Sequence, residues 1–77
     1  MIAETYSYQI ERGVPFEAVE ESLLLAILAA ECLHGTPQVR LDAVFRADAA
    51  KRACVVDAGT EVGRDIARLF TGFLSRQ

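Results

Sequence analysis

Hydrophobic and polar side chains alternate at the start of the chain, which predicts a β-strand over residues 2 to 11. Tyr6, Tyr8 and Ile10 share one face of this strand, and polar side chains occupy the other face. Alternation that includes aromatic and β-branched residues is typical of a strand with one buried face. Pro15 follows the strand, and the first turn of a helix tolerates proline. We therefore expect a helix to begin there.

From residue 15 to residue 34 the hydrophobic pattern takes a helical period. At about 100° per residue, one stripe of this helix gathers six apolar residues: Phe16, Val19, Leu23, Ala26, Ile27 and Ala30. A second group lies on the opposite side: Ala18, Leu25, Leu28 and Cys32. Gly35 suits the C′ position that ends a helix, and Pro37 just beyond it is typical of a helix stop.

The second apolar side of this helix is the most informative feature of the chain. Every residue from Leu23 to Ala30 is apolar, and a helix that is apolar on more than one side is covered on more than one side. A chain of 77 residues has little protein to spare for this purpose, and small domains commonly bury more surface by oligomerisation. We therefore expect a homo-oligomer, with a dimer favoured, or a protein partner. The expected interface consists of Leu24, Leu25, Leu28 and Cys32.

Two further strands are predicted, over residues 38 to 48 and 52 to 58, because apolar and polar residues alternate in the first and the second is short and rich in β-branched residues. The turn between them is expected at residues 48 to 51. In the resulting hairpin two pairs face the core: Phe45 with Cys54 and Ala43 with Val56. This register leaves Asp57 in solvent, whereas a shift by one residue would bury it.

A last helix is predicted to follow Gly59, with Thr60 as its N-cap. Its apolar stripe comprises Val62, Ile66, Leu69, Phe70 and Phe73. Gly63 and Ala67 lie at the flank of this stripe and are small enough to let the helix approach its neighbour closely. The predicted order is βαββα, forming one domain over residues 1 to 77. We expect an α+β two-layer sandwich, in which a three-stranded sheet carries both helices on one face.

The charges are divided unevenly along the chain. The net charge of −3 comprises −5 over residues 1 to 37 and +2 over residues 38 to 77. An acidic helix pairing with basic elements, within or between subunits, would explain this division; solvated charges that happen to segregate would explain it equally well. Nucleic acid is not favoured as a partner, because acidic residues alternate with the basic ones and phosphate binding needs an uncompensated basic patch.

The cysteines and the start of the chain indicate a compartment. Cys32 and Cys54 are the only cysteines, without the dense framework of a secreted mini-protein, so we expect two reduced and mostly buried thiols. The first residues lack a signal-peptide pattern, and the Leu23 to Ala30 run is too short to span a bilayer. We therefore expect a cytoplasmic protein that does not associate with membranes.

No metal site or cofactor is expected. Cys32, His34 and Cys54 are ligand types, but a zinc site needs at least three protein ligands. Residues two apart on a helix point about 200° from each other, so Cys32 and His34 do not readily hold one ion. His34 is expected to bond carbonyl groups at the helix end. It is the only histidine, and no nucleophile motif accompanies it.

The segment Asp57-Ala58-Gly59-Thr60 resembles the Asp-x-Gly-Thr phosphate loop of sugar kinases and actin-like ATPases. The resemblance implies a glycine that lets backbone amides approach phosphate and an aspartate that acts through a metal. It covers four residues, and in that family the loop joins two strands of a much larger protein, whereas here a helical stripe follows. We therefore expect a strand-to-helix turn and a helix cap, without nucleotide hydrolysis.

The sequence thus predicts a non-catalytic domain that acts through self-association or protein-protein interaction. The alternative is weak binding of a small anion or phosphate ligand at the strand-to-helix turn from Gly59 to Arg64. The residues expected to hold such an anion are Gly59, Thr60 and Arg64, since amides at a helix start attract negative charge.

Overall fold

The computed structural model describes residues 4 to 76, and it shows an α+β protein with a three-stranded antiparallel sheet and three helices in that part of the chain. The elements follow one another as β1 (Thr5–Gln9), α1 (Phe16–His34), α2 (Thr36–Asp42), β2 (Phe45–Asp48), β3 (Ala53–Asp57) and α3 (Glu61–Leu74). Residues 2 and 3 of the first predicted strand lie outside the described residues. The two long helices and the short strands β1 and β3 fall within the segments predicted for them.

The helix α2 corrects the predicted strand over residues 38 to 48 and with it the βαββα order, which has one helix too few. The helix α1 ends before Pro37, as predicted, but Pro37 also lies in the first turn of α2, where the absent N–H of proline costs no hydrogen bond. Val39 is buried and Ala43 packs against the core, and a spacing of four suits a helix. Leu41, which the alternation placed on the core face, is 78% exposed.

In the sheet, β3 lies between β1 and β2 and pairs antiparallel with both. The hairpin register differs from the predicted one: Phe45 lies opposite Val56, and Ala47 lies opposite Cys54. The difference is two residues, so Phe45 stays on the same side of the sheet as Cys54 and Val56. Its side chain is nevertheless 45% exposed, and the prediction that it faces the core is wrong. Asp57 stays off the face that carries the buried Cys54 and Val56.

The helices pack against the sheet and against one another to form the core. The helix α3 contacts β3, whereas α1 packs mainly against α3, and α2 packs against both helices. On α1 the predicted stripe is buried, apart from Ile27, which is half-buried. On α3 the buried residues include Val62, Ile66 and Phe70, as predicted. Tyr8 of β1 links the sheet to α3, because its ring packs edge-on against the ring of Phe70. The two ring centroids are 4.8 Å apart.

The ends of the helices follow their predicted capping residues. Gly35 ends α1 with a φ of 85°, a left-handed conformation that glycine adopts without strain. The Thr60 hydroxyl accepts a hydrogen bond from the Gly63 N–H at 3.0 Å and so caps α3. Gly63 also lets α3 lie close to the end of β3, since a Cβ there would overlap the carbonyl oxygen of Asp57.

Candidate interaction surface

The outer side of α1 presents an uncovered apolar surface. Leu24, Leu25 and Leu28 are 56%, 54% and 49% exposed, and Cys32 is also exposed. Leu24, Leu28 and Cys32 follow one another at intervals of four, so they form one ridge along the helix, with Leu25 beside it. We call these four residues the α1 outer face. The predicted interface residues therefore lie together on one side of the helix.

Acidic residues precede this face along α1. Glu17, Glu20 and Glu21 are exposed in the first turns of the helix. The other end of α1 carries one acid, Glu31, whose carboxylate accepts a hydrogen bond from the Thr36 hydroxyl at 2.7 Å. The N-terminal end of the α1 outer face is therefore the more acidic end.

Several other apolar side chains are exposed but stand apart from the α1 outer face: Tyr6, Leu33, Leu41, Val44 and Phe45. A shallow cleft of about 360 Å³ lies beside β2. Its lining combines apolar, hydroxyl and charged side chains: Thr5, Val44, Phe45, Arg46, Val55 and Asp57. Four of these residues lie on the sheet face opposite to the core, since Thr5 pairs with Asp57 and Arg46 pairs with Val55.

The three residues predicted to bind an anion, Gly59, Thr60 and Arg64, lie together at the start of α3. However, the protein supplies its own acceptors to this turn. The Gly59 N–H donates to the Asp57 carboxylate at 2.8 Å, and the Gly63 N–H donates to Thr60 Oγ1. These two donors are therefore engaged within the chain, and an incoming anion would also meet the negative charge of Asp57. Arg64 remains exposed.

The candidate metal ligands lie in different environments. Cys32 is exposed and Cys54 is fully buried, and both are free thiols, so the expectation of two mostly buried thiols is wrong for Cys32. Burial, with a smaller contribution from the Glu20 carboxylate, raises the pKa of the Cys54 thiol above its ordinary value of 9.0. Between residues 4 and 76 no group of three or more histidine, cysteine, aspartate or glutamate side chains is placed to hold a metal ion.

Two interactions were not predicted from the sequence. The first joins α1 to α3, because His34 Nε2 lies 2.7 Å from Asp65 Oδ2; His34 thus bonds a carboxylate on another helix, where we expected carbonyl groups. The second is made by Arg52 at the β2–β3 turn. Its guanidinium donates to the carbonyl oxygens of Glu11 and Val14, tying this turn to the loop before α1. Neither pair has a local sequence pattern that would reveal it.

No known protein family matches this chain, and neither does any curated protein or solved structure. None of the helices described between residues 4 and 76 is long and apolar enough to cross a membrane.

Proposed function

We propose that this protein is a non-catalytic domain that associates with a second copy of itself through the α1 outer face. The observation that carries the proposal is the exposure of three neighbouring leucines, Leu24, Leu25 and Leu28, each about half exposed on a helix whose other side is buried. An apolar patch of this kind on a small protein is typical of an interaction site. Binding of a different protein at the same face is the alternative.

The expected strength follows from the area to be covered. Full burial of a leucine side chain stabilises by about 1.5–3 kcal/mol, so completing the burial of three half-exposed leucines adds roughly 3 kcal/mol per subunit. The two subunits together gain roughly 6 kcal/mol, which is comparable to the cost of association, about 4–15 kcal/mol. We therefore expect a weak dimer whose population depends strongly on concentration.

The proposal includes a cytoplasmic location and no catalytic role. Two free cysteines, one of them exposed, suit a reducing compartment. The single histidine is hydrogen-bonded to Asp65 at the contact between α1 and α3, away from the α1 outer face.

Sedimentation velocity across a concentration series, up to roughly 1 mM, tests the proposal. The wild-type chain should shift from monomer to dimer as concentration rises, and Leu28→Glu should remain monomeric because each subunit would bury an unpaired carboxylate. Val44→Glu is the matched control, since it adds the same charge at a side chain that is 58% exposed and lies outside the α1 outer face. It should dimerise like the wild type. A wild-type chain that stays monomeric throughout contradicts self-association.

A further inference from the structure

The α1 outer face is arranged symmetrically about Leu28. Leu24 precedes Leu28 by four residues and Cys32 follows it by four, so all three side chains lie on one ridge of the helix. A twofold axis that passes through Leu28 would therefore superimpose the ridge on its own reversed copy. Two-fold symmetric dimers use one surface patch on both subunits, and this ridge meets that requirement.

The charges around the ridge distinguish the two possible helix directions. A parallel arrangement would bring the exposed Glu17, Glu20 and Glu21 of both subunits side by side, and like charges at that distance repel. An antiparallel arrangement separates the two sets of acids, because each set then lies against the other end of the partner helix. It also sets the negative end of each helix dipole beside the positive end of the other.

Resting on the proposed self-association, we infer that α1 packs antiparallel against α1 of the second copy, with the twofold axis at Leu28. Leu28 then meets its own counterpart, and Leu24 lies opposite the partner's Cys32. The two Cys32 thiols of the dimer are separated by eight residues of helix, roughly 12 Å along the axis. That separation is too long for a disulfide, which needs Cα atoms within about 7 Å.

Thiol cross-linking tests this pairing directly. Leu24→Cys should give a covalent dimer on mild oxidation, because the introduced thiol lies opposite the partner's Cys32. Leu28→Cys should cross-link through two copies of the introduced thiol at the axis. Leu33→Cys is the matched control, because Leu33 is on the same helix and 69% exposed but lies off the ridge; it should remain uncross-linked, as should the wild type. The thiols are blocked before denaturation, and peptide mapping identifies each disulfide.

The possible results distinguish failure of the antiparallel pairing from failure of the proposed self-association. A disulfide between position 24 and Cys32 of different chains, with none between two Cys32 residues, supports the antiparallel pairing. Cross-linking of the wild type through Cys32 shows parallel helices and overturns the inference, although self-association stands. A dimer in sedimentation that none of the variants cross-links places the contact elsewhere and also overturns it. Monomers in every sample overturn both the antiparallel pairing and the proposed self-association.

Discussion

Replacing Gly63 by alanine should destabilise the protein, although the same change usually stabilises a helix. Gly63 is buried in the first turn of α3, where an added Cβ would overlap the Asp57 carbonyl oxygen and come within 3.0 Å of its carbonyl carbon. That carbonyl cannot rotate away freely, because the Ala58 N–H of the same peptide group donates to the Glu4 carbonyl oxygen at 2.8 Å. The helix must therefore move away from the sheet.

The magnitude is the difference between two opposing effects. Alanine favours a helix interior over glycine by about 1 kcal/mol, whereas overpacking a core position costs about 1–3 kcal/mol and occasionally more. The overlap at Gly63 is with backbone rather than with a flexible side chain, so the upper part of that range applies. We expect a net loss of about 2 kcal/mol in the free energy of unfolding.

Urea denaturation followed by circular dichroism measures this change. Gly72→Ala is the matched control within the same helix, because no atom lies within 4 Å of a Cβ placed there. It should stabilise the protein by about 0.5–1 kcal/mol. Gly63→Ala with a stability equal to or above that of the wild type would refute the close packing of α3 on β3, whatever the behaviour of Gly72→Ala.

Two further predictions concern the thiols and the start of α3. In dilute protein, Cys32 should react at once with a thiol reagent and Cys54 only after unfolding. Because the pKa of Cys54 is raised in the folded state, the contribution of this thiol to the free energy of unfolding should be full below pH 9 and should decrease as the pH rises further. Equal reactivity of both thiols contradicts this burial. Phosphate titration followed by NMR should give no saturable chemical-shift changes from Gly59 to Arg64. Saturable changes that are lost in Arg64→Ala would instead support an anion site at this turn.

The helices α1 and α3 were predictable because their evidence is local. Each has a capping residue at an end, Gly35 or Thr60, and a stripe of apolar residues at helical spacing. The segment that became α2 carries two patterns at once, since alternation places Val39 and Leu41 together whereas helical spacing places Val39 with Ala43. Only tertiary packing decides between them, because Val39 is buried and Leu41 is not.

The hairpin register and the long-range polar contacts depend on information that local patterns do not contain. Alternation assigns Phe45 and Val56 to one face, but it does not say which residue lies opposite which. The contacts of His34 with Asp65 and of Arg52 with Glu11 join residues 31 and 41 positions apart. Each contact joins one isolated pair of residues, so no periodic pattern in the sequence predicts it. The α1 outer face, by contrast, is visible in the sequence because an apolar run is a property of consecutive residues.

The distribution of side-chain sizes on α1 gives a separate reason to expect a partner. From residue 23 onward the buried positions of this helix are Leu23, Ala26 and Ala30, whereas three leucines face outward: Leu24, Leu25 and Leu28. Burying a leucine stabilises a protein far more than burying an alanine. A helix that packs only against the core of a monomer is therefore expected to have leucines on its buried side and alanines on its exposed side. Small residues on the buried side let α1 and α3 approach closely, and large ones on the outer side become stabilising only when a second surface covers them.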